Sequence, residues 1–244
     1  MKAIILCGGF GVRFPMNPER SKALLEVNGR PLVEHIVRKL EMLKDVEKLY
    51  VSTNRKFALG FERWLKALGS KDVEIVTEES LHDGEKMGAV GALDFVLKEK
   101  GVEGDFLVVN GDNVFEDDLV SFVDAFKDWR CPLVGLYRVG NPGEARGFGV
   151  VEIDEKNRII SFEEKPDVPA SRLISTGIYA FPGGVASKLR AYLGSGQNPD
   201  APGNFIQWLH KREEVRGFRL NGAWFDVGGA DAYERARAFF EKRG

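Results

Sequence analysis

The chain has 244 residues, of which 43% are hydrophobic and 30% charged, and its formal net charge at pH 7 is -2. This composition is ordinary for a globular protein, and the lack of a basic excess argues against nucleic acid as a partner. No apolar run is long enough to form a transmembrane helix, and the N-terminal residues show no signal-peptide pattern. The two cysteines lie far apart in apolar segments, as buried thiols of a reducing compartment do. We therefore expect a cytoplasmic protein that makes no contact with membranes.

The first 130 residues alternate between segments typical of strands and segments typical of helices. Apolar runs predict strands at 2–6, 47–53, 73–77 and 106–110. Apolar residues at helical spacing predict helices that begin near Pro31 and Phe57, and a third helix at 87–100. Strand and helix in alternation indicate βαβ units, whose parallel strands form the centre of a doubly wound sheet.

The pattern changes after residue 130. Short extended runs separated by turn residues predict strands at 133–139, 148–153, 158–163, 173–181, 215–220 and 223–227. Helices are predicted near 184–193, at 205–214 and from residue 231 onwards. No low-complexity linker separates the two parts, so we expect residues 1–244 to form a single domain. The predicted fold class is α/β: three α-β-α layers around a Rossmann-like, mostly parallel mixed central sheet.

A glycine-rich loop follows the first predicted strand. Gly8, Gly9 and Gly11 let the backbone turn sharply and approach a ligand with no side chain in the way, and N–H groups in such loops converge on anions. Arg13 and Lys22 bring two positive charges to the same segment. The simpler interpretation is a surface turn with two solvated cations, but the order of glycines and cations favours a phosphate-binding loop. The spacing matches neither a P-loop nor the dinucleotide fingerprint.

Two aspartates follow apolar extended runs. Asp112 comes directly after the strand at 106–110, and ligands of open α/β sheets bind at the carboxyl ends of strands. A carboxylate beside a phosphate site is repulsive unless a divalent cation lies between them, and Mg²⁺ meets that need. An Asn-Gly-Asp turn is the simpler interpretation of this segment. Asp226 precedes the last predicted helix, where it could instead act as an N-terminal cap or a favourable charge.

Six segments resemble, in the right order, the motifs of the sugar-1-phosphate nucleotidylyltransferases, or nucleoside-diphosphate-sugar pyrophosphorylases. This family includes glucose-1-phosphate thymidylyl- and uridylyltransferases and mannose-1-phosphate guanylyltransferases. The segments are the glycine loop at 6–22, a base-binding loop at 78–92, Gly111-Asp112, Glu163-Glu164-Lys165-Pro166, Thr176-Gly177-Ile178-Tyr179 and Trp224-Phe225-Asp226-Val227-Gly228. The resemblance implies the nucleotide-diphospho-sugar transferase fold, with a nucleotide-binding half at 1–130 and a sugar-phosphate-binding half at 131–244. It also implies an enzyme that joins a nucleoside triphosphate (NTP) and a sugar 1-phosphate.

The resemblance also implies roles for individual residues. The catalytic cations would be Arg13, on the departing pyrophosphate, and Lys22, on the α-phosphate. The implied nucleotide-binding residues are Leu6, Gly8, Gly9, Gly11, Glu78, Gly88 and Asp112. The implied sugar-phosphate-binding residues are Gly147, Glu163, Lys165 and Thr176. Mg²⁺ is the expected cofactor, with Asp112 and Asp226 as its ligands.

The sequence leaves the base, the sugar and the oligomeric state open. The Glu78 carboxylate only accepts hydrogen bonds, which leans towards guanine with its two adjacent donors, although uracil and thymine also offer one. Family frequency favours glucose or mannose 1-phosphate. The chain ends soon after the last motif, so we expect no C-terminal β-helix domain. Two alternatives are a CTP-dependent cytidylyltransferase for a polyol or alcohol phosphate, and a non-catalytic regulatory relative that binds nucleotide or sugar phosphate.

Overall fold

The computed structural model of the chain describes residues 1–10 and 20–242. Its strands, in chain order, are β1 (Lys2–Leu6), β2 (Glu26–Val27), β3 (Arg30–Pro31), β4 (Lys48–Asn54), β5 (Val73–Glu78), β6 (Phe106–Asn110), β7 (Asn113–Phe115), β8 (Leu133–Arg138), β9 (Gly149–Ile153), β10 (Ile159–Glu164), β11 (Leu173–Phe181), β12 (Arg216–Arg219) and β13 (Trp224–Asp226). Its α-helices are α1 (Leu32–Glu41), α2 (Ala58–Leu68), α3 (Gly88–Glu99), α4 (Val120–Trp129), α5 (Pro142–Ala145), α6 (Val185–Gly194), α7 (Pro202–Leu209) and α8 (Ala230–Glu241). None of the helices within these ranges has both the length and the apolar content that crossing a membrane requires.

Strands from both parts of the chain form one sheet. The order along its main path is β10-β9-β11-β6-β1-β4-β5, and β8 pairs with both β11 and β12. β6, β1, β4 and β5 are parallel to one another, whereas β11 runs antiparallel to β6, β8 and β9. The pairing of β11 with β6 therefore continues the sheet from the first part of the chain into the second. The predicted mixed sheet with a parallel centre is confirmed.

Alternate residues of the central strands face two different hydrophobic clusters. Ala3 and Ile5 of β1 pack with α1, α2 and α4, whereas Ile4 packs with α3, α6 and α7. Side chains of successive strand residues point to opposite faces, so a strand covered on both faces is apolar throughout. A smaller cluster joins α8, through Tyr233 and Ala236, to β7 and to Val227 after β13. The three predicted layers are confirmed.

Some elements differ from the sequence prediction. The sequence analysis predicts neither β7 nor α4. Helix α7 occupies Pro202–Leu209 instead of 205–214, because proline is well suited to a first helical turn and the N–H groups of Arg212 and Glu213 both bond to the Leu209 carbonyl in a closing turn. Strand β10 ends at Glu164, one residue later than predicted. This last residue lies in the site described next.

Candidate active site

A cavity of about 680 Å³ opens at the carboxyl ends of the parallel strands. Its walls include the residues that follow β1 and β6 and the ends of β5 and β10. This is the position at which open α/β sheets bind ligands, and the volume lies in the usual range for small-molecule sites. Charged residues along the walls are Lys22, Lys86, Lys165 and Arg235 together with Glu78, Asp83, Asp112, Glu164, Asp200 and Asp226. Carboxylates thus outnumber cations among the described lining residues.

The structure brings Asp112 and Asp226 together in this cavity, although they are far apart in sequence. Asp226 ends β13 and lies opposite Asn113 in the antiparallel pair β7–β13. The next residue, Val227, donates its backbone N–H to the carbonyl oxygen of Asp112 at 2.8 Å. Both aspartates line the cavity. The N-cap position of α8 is occupied by Gly229, so Asp226 is not the cap that a simpler interpretation of the sequence allows.

Lys22 reaches the same point from the start of a 3₁₀ turn at Lys22–Leu24. Its ammonium Nζ lies 3.0 Å from Asp112 Oδ2, and the side chains are 18% and 29% exposed, respectively. Partial burial strengthens such a pair relative to one in open solvent. The contact places a cation beside the carboxylate at the end of β6, as expected if both groups handle a phosphate and its counter-ion.

The donor set at Asp112 and Asp226 fits Mg²⁺. Within residues 1–10 and 20–242, no group of three or more His, Cys, Asp or Glu side chains is arranged to hold a metal ion. Mg²⁺ does not require such a cage, because it is commonly held by one or two carboxylates together with substrate phosphates and water. Two carboxylates in a cavity where acidic groups exceed basic ones satisfy that requirement.

The glycine loop lies in the cavity wall as far as the structure describes it. Leu6, Gly8 and Gly9 line the cavity, and the Asn54 side-chain amide donates to the Gly8 carbonyl at 2.9 Å, which holds the loop against the end of β4. Gly11 and Arg13 lie outside the described residues. Their predicted roles remain predictions.

Glu78 ends β5 and its side chain forms part of the cavity wall while being only 4% exposed. Its Oε1 atom accepts a hydrogen bond from the Ser80 hydroxyl at 2.8 Å. Burial raises the pKa of the Glu78 carboxyl, and hydrogen bonds from Ser80 and from the Met87 backbone oppose that rise. Oε2 is buried and has no hydrogen-bond partner among the described residues. The Ser80 hydroxyl therefore holds the Glu78 carboxylate in the cavity wall.

Gly88 links the cavity wall to the second part of the chain. It begins α3 with a φ of 74°, a value that favours glycine, and a Cβ at this position would lie 2.4 Å from the Pro199 carbonyl oxygen. The Val90 N–H donates to that same carbonyl at 2.9 Å. Nearby, Lys86 Nζ lies 3.2 Å from an oxygen of Asp83 and 3.5 Å from an oxygen of Asp200. The start of α3 is thus tied to the segment before α7.

The prediction that Glu163 contacts the sugar is not supported by the structure. Glu163 is exposed and does not line the cavity, whereas its neighbour Glu164 does. The reason is strand alternation: Phe162 and Glu164 share one face of β10, and Phe162 is buried in the core. Glu164 is therefore the carboxylate of the Glu-Glu-Lys-Pro motif that the fold presents to the cavity.

The Glu164 side chain packs directly against the backbone of Gly203. A Cβ at Gly203, in the first turn of α7, would lie 1.8 Å from Glu164 Oε2, so only glycine allows this approach. The Glu164 backbone N–H donates to Gln207 Oε1 of the same helix at 2.8 Å. Burial raises the pKa of the Glu164 carboxyl, and the neighbouring Lys165 charge lowers it. The contacts fix this carboxylate against α7.

Lys165, Gly147 and Thr176 also line the cavity. Lys165 has a φ of 50°, a backbone conformation that is uncommon for a residue with a side chain. This turn ends the strand alternation, so that consecutive residues Glu164 and Lys165 both face the ligand space. The Thr176 hydroxyl donates to the Gly135 carbonyl at 2.8 Å. In this arrangement the hydroxyl proton bonds within the sheet and is not donated to a ligand.

Exchange of either neighbouring glutamate for glutamine tests this correction. We expect Glu164→Gln to raise the KM for the phosphorylated acceptor about 10- to 100-fold, the scale of one hydrogen bond to a charged group. Glu163→Gln, one residue away on the opposite face of β10, should leave the same KM within about twofold. Steady-state kinetics of both variants make the comparison, and equal effects of the two exchanges would contradict the assignment of Glu164.

Sequence reasoning missed several lining residues, among them Lys86, Asp200, Gly203 and Arg235. Lys86 and Asp200 meet only through tertiary structure, and nothing near either residue in the sequence indicates the other. Glu164 could have been found from the sequence, because the apolar Phe162 two residues earlier marks the inward face of the strand.

Comparison with known proteins places the chain among nucleotidyl transferases. The family model described as "Nucleotidyl transferase" matches residues 2–243. The Bifunctional protein GlmU of Methanocaldococcus jannaschii is 34% identical over 93% of this chain, and the chain spans about half of that relative (51%). The UTP–glucose-1-phosphate uridylyltransferase AglF of Haloferax volcanii is 29% identical over 74% of this chain and 72% of its own length.

A solved structure has the same fold. A UDP-glucose pyrophosphorylase complexed with UDP-glucose superposes with a TM-score of 0.83, over 100% of this chain and 99% of the other, at 20% identity. The family match covers almost the whole chain, and described residues from all six segments singled out in the sequence line one cavity at the carboxyl edge of the sheet. The chain belongs to the nucleotidyl transferase family.

Proposed function

We propose that the protein transfers a nucleoside monophosphate from an NTP to a sugar 1-phosphate, giving a nucleoside-diphosphate sugar and pyrophosphate. One observation carries the proposal: Lys22, Asp112 and Asp226 line the same cavity as Glu164 and Lys165, which come from the second part of the chain. We also propose that residues 1–244 form a single domain, with a nucleotide-binding half at 1–130 and a sugar-phosphate-binding half at 131–244. The pairing of β6 with β11 joins the two halves in one continuous sheet and so supports a single domain.

The cavity offers two kinds of binding chemistry. Gly8, Gly9 and Gly88 present backbone with no side chain, which suits the close approach of a nucleotide. Glu164 and Lys165, from the second part of the chain, line the same cavity. A carboxylate accepts hydrogen bonds from neighbouring hydroxyls and an ammonium pairs with a phosphate, so these two residues suit a sugar phosphate.

The reaction then needs positioning and charge neutralisation more than acid–base chemistry. An oxygen of the sugar phosphate attacks the α-phosphorus of the NTP, a new P–O bond forms, and the bond to the β-phosphate breaks so that pyrophosphate leaves. Lys22 holds the α-phosphate, Lys165 the attacking phosphate and Arg13 the pyrophosphate. No residue has to remove a proton, because a phosphate is already ionised at neutral pH.

Asp112 and Asp226 would hold Mg²⁺ in this proposal. A bound Mg²⁺ supplies positive charge that offsets the repulsion between the two phosphates and the surrounding carboxylates. The Lys22 ammonium lies next to the Asp112 carboxylate, so this lysine would share the neutralisation of the phosphates. Glucose or mannose 1-phosphate is the proposed acceptor, and the name of the Haloferax relative supports glucose.

A grid of substrates tests the proposal. Each NTP is combined with glucose, mannose, galactose and N-acetylglucosamine 1-phosphates in the presence of Mg²⁺, and pyrophosphate release is measured. We expect one pair to exceed the others clearly. A second grid with CTP and polyol phosphates represents the cytidylyltransferase alternative, and turnover confined to that grid would overturn the sugar assignment. Binding of nucleotide without pyrophosphate release in either grid would indicate a regulatory protein instead.

A further inference from the structure

Helix α7 lies against the carboxylate that β10 contributes to the cavity. Its residues Gly203 and Gln207 both contact Glu164, and Gly203 itself lines the cavity. The two residues are four positions apart and therefore lie on the same face of the helix. This face meets the side chain of Glu164 at one residue and its backbone at the other.

The helix alone does not explain the glycine at position 203. Gly203 is the second residue of α7 and does not have the positive φ that favours glycine. Alanine stabilises a helix more than glycine does at such a position. The tertiary contact is what excludes alanine, because a Cβ here would lie 1.8 Å from Oε2 and 2.8 Å from Cδ of Glu164. Glycine therefore leaves the space that the carboxylate occupies.

A second glycine, on β9, leaves room for the same carboxylate. Gly149 lies directly opposite Glu164 in the pair β9–β10, and a Cβ there would lie 3.0 Å from Glu164 Oε2. Oε2 is thus close to the backbone of both glycines, whereas Oε1 is 3.8 Å from Lys165 Nζ. The backbone of Glu164 is held as well, because its N–H donates to Gln207 Oε1 at 2.8 Å. Helix α7 therefore restrains both the backbone and the side chain of Glu164.

We propose that Gly203 and Gln207 are positioning residues for the sugar 1-phosphate, because they set where the Glu164 carboxylate lies relative to the Lys165 ammonium. This inference rests on the proposed nucleotidyl transfer, in which Glu164 binds hydroxyls of the sugar. A methyl group at position 203 would occupy the space of Oε2, so the carboxylate would have to turn away from α7. Loss of the acceptor at position 207 would leave the Glu164 N–H without its partner and weaken the hold on the same residue.

Steady-state kinetics of Gly203→Ala and Gln207→Met test the positioning role. We expect Gly203→Ala to raise the KM for the sugar 1-phosphate about 10- to 100-fold, the scale of one hydrogen bond to a charged group. Gln207→Met adds no methyl group to the crowded helix turn and should raise the same KM about 3- to 10-fold, the scale of one neutral hydrogen bond. The KM for the NTP should stay within about twofold in both variants, because an effect that passes through Glu164 concerns the sugar phosphate alone.

The double variant Glu164→Gln/Gly203→Ala separates positioning from a general disturbance of the cavity. If Gly203→Ala acts through Glu164, the double variant should show the sugar-phosphate KM of Glu164→Gln within about twofold, since residues in contact have non-additive effects. Gly194→Ala is the matched control: Gly194 ends the preceding helix α6, and a Cβ there would meet no atom within 4 Å. It should keep the wild-type kinetic constants. Additive effects in the double variant, or an unchanged KM in Gly203→Ala, would overturn the proposal.

The position of the carboxylate can also be followed without turnover. Carbon-13 NMR of glutamate-labelled protein reports the titration of Glu164, whose signal is the one that Glu164→Gln removes. Burial raises the pKa of this carboxyl and the Lys165 charge lowers it, and Tyr179 and Tyr192 are the other titratable groups that interact with it. We expect the pKa to fall in Gly203→Ala, because the displaced carboxylate meets water in the cavity. An unchanged pKa would overturn the positioning role. A fall in the pKa without turnover by the wild type would overturn nucleotidyl transfer and leave the positioning of Glu164 standing.

Discussion

Replacement of Asp226 by asparagine should reduce nucleotidyl transfer by at least about 1,000-fold, the upper range for loss of one electrostatic contact in a reaction that depends on charge neutralisation. The carboxamide keeps the size of the side chain but removes its negative charge. Asp226 shares the cavity with Asp112, and the two are linked through the Val227 N–H bond to the Asp112 carbonyl at 2.8 Å. The same loss of activity is expected for Asp112→Asn.

The fold should survive the exchange at position 226, because asparagine preserves the shape and β13 is held to β7 by backbone pairing. Thermal unfolding would check this point, and Mn²⁺ binding followed by electron paramagnetic resonance would show a weakened metal site without reference to turnover. Asp231→Asn is the matched control: Asp231 lies in the first turn of α8 and does not line the cavity. It should lose at most about 1 kcal/mol of stability and no activity. Near-normal turnover of Asp226→Asn would rule out the two-aspartate site.

Lys22→Ala should lower kcat about 100- to 1,000-fold, since one charge-stabilising contact in the transition state is lost. Lys22 Nζ lies 3.0 Å from Asp112 Oδ2 at the end of β6. A purely structural pair would cost stability of about 1 kcal/mol and leave kcat nearly unchanged. The two roles are thus separable by comparing kcat with the melting temperature.

Lys2, a lysine on β1 that does not line the cavity, provides the control for that comparison. Lys2 forms an ion pair with Glu47, with 2.8 Å between Nζ and Oε2, at the end of β1 remote from the cavity. Lys2→Ala should therefore change neither kcat nor KM. If Lys22→Ala behaved like Lys2→Ala in turnover, the assigned contact with the α-phosphate would be wrong.

The sequence predicts the central part of the fold well because local pattern and tertiary burial agree there. The strands at 106–110 and 173–181 have the predicted bounds, since each is mostly apolar and is buried on both faces over nearly its whole length. Helix α4 could have been predicted from the sequence, because Phe122, Val123 and Phe126 follow helical spacing and are buried. The acidic residues that precede it obscure the start of the apolar pattern.

The site is predictable only where one short segment supplies the chemistry. Asp112 follows β6 and Asp226 is the last residue of β13, and the rule that ligands bind at the carboxyl ends of strands brings them together. The incorrect choice of Glu163 over Glu164 shows how far the motif can be used. The motif identifies the two neighbouring glutamates, but the face of β10 on which each lies decides which of them lines the cavity. Contacts such as Gly203 with Glu164 join residues from distant segments, and no local pattern encodes them.

Transfer of a labelled phosphate is the most direct test of the central claim. The NTP of the productive pair is prepared with radioactive phosphorus at the α-position and, separately, at the γ-position, and each is incubated with sugar 1-phosphate and Mg²⁺. We predict that the α-label appears in a nucleoside-diphosphate sugar, the γ-label appears in pyrophosphate, and Asp226→Asn produces neither. Label recovered only as nucleoside monophosphate or inorganic phosphate would show hydrolysis and would contradict transfer to a sugar phosphate.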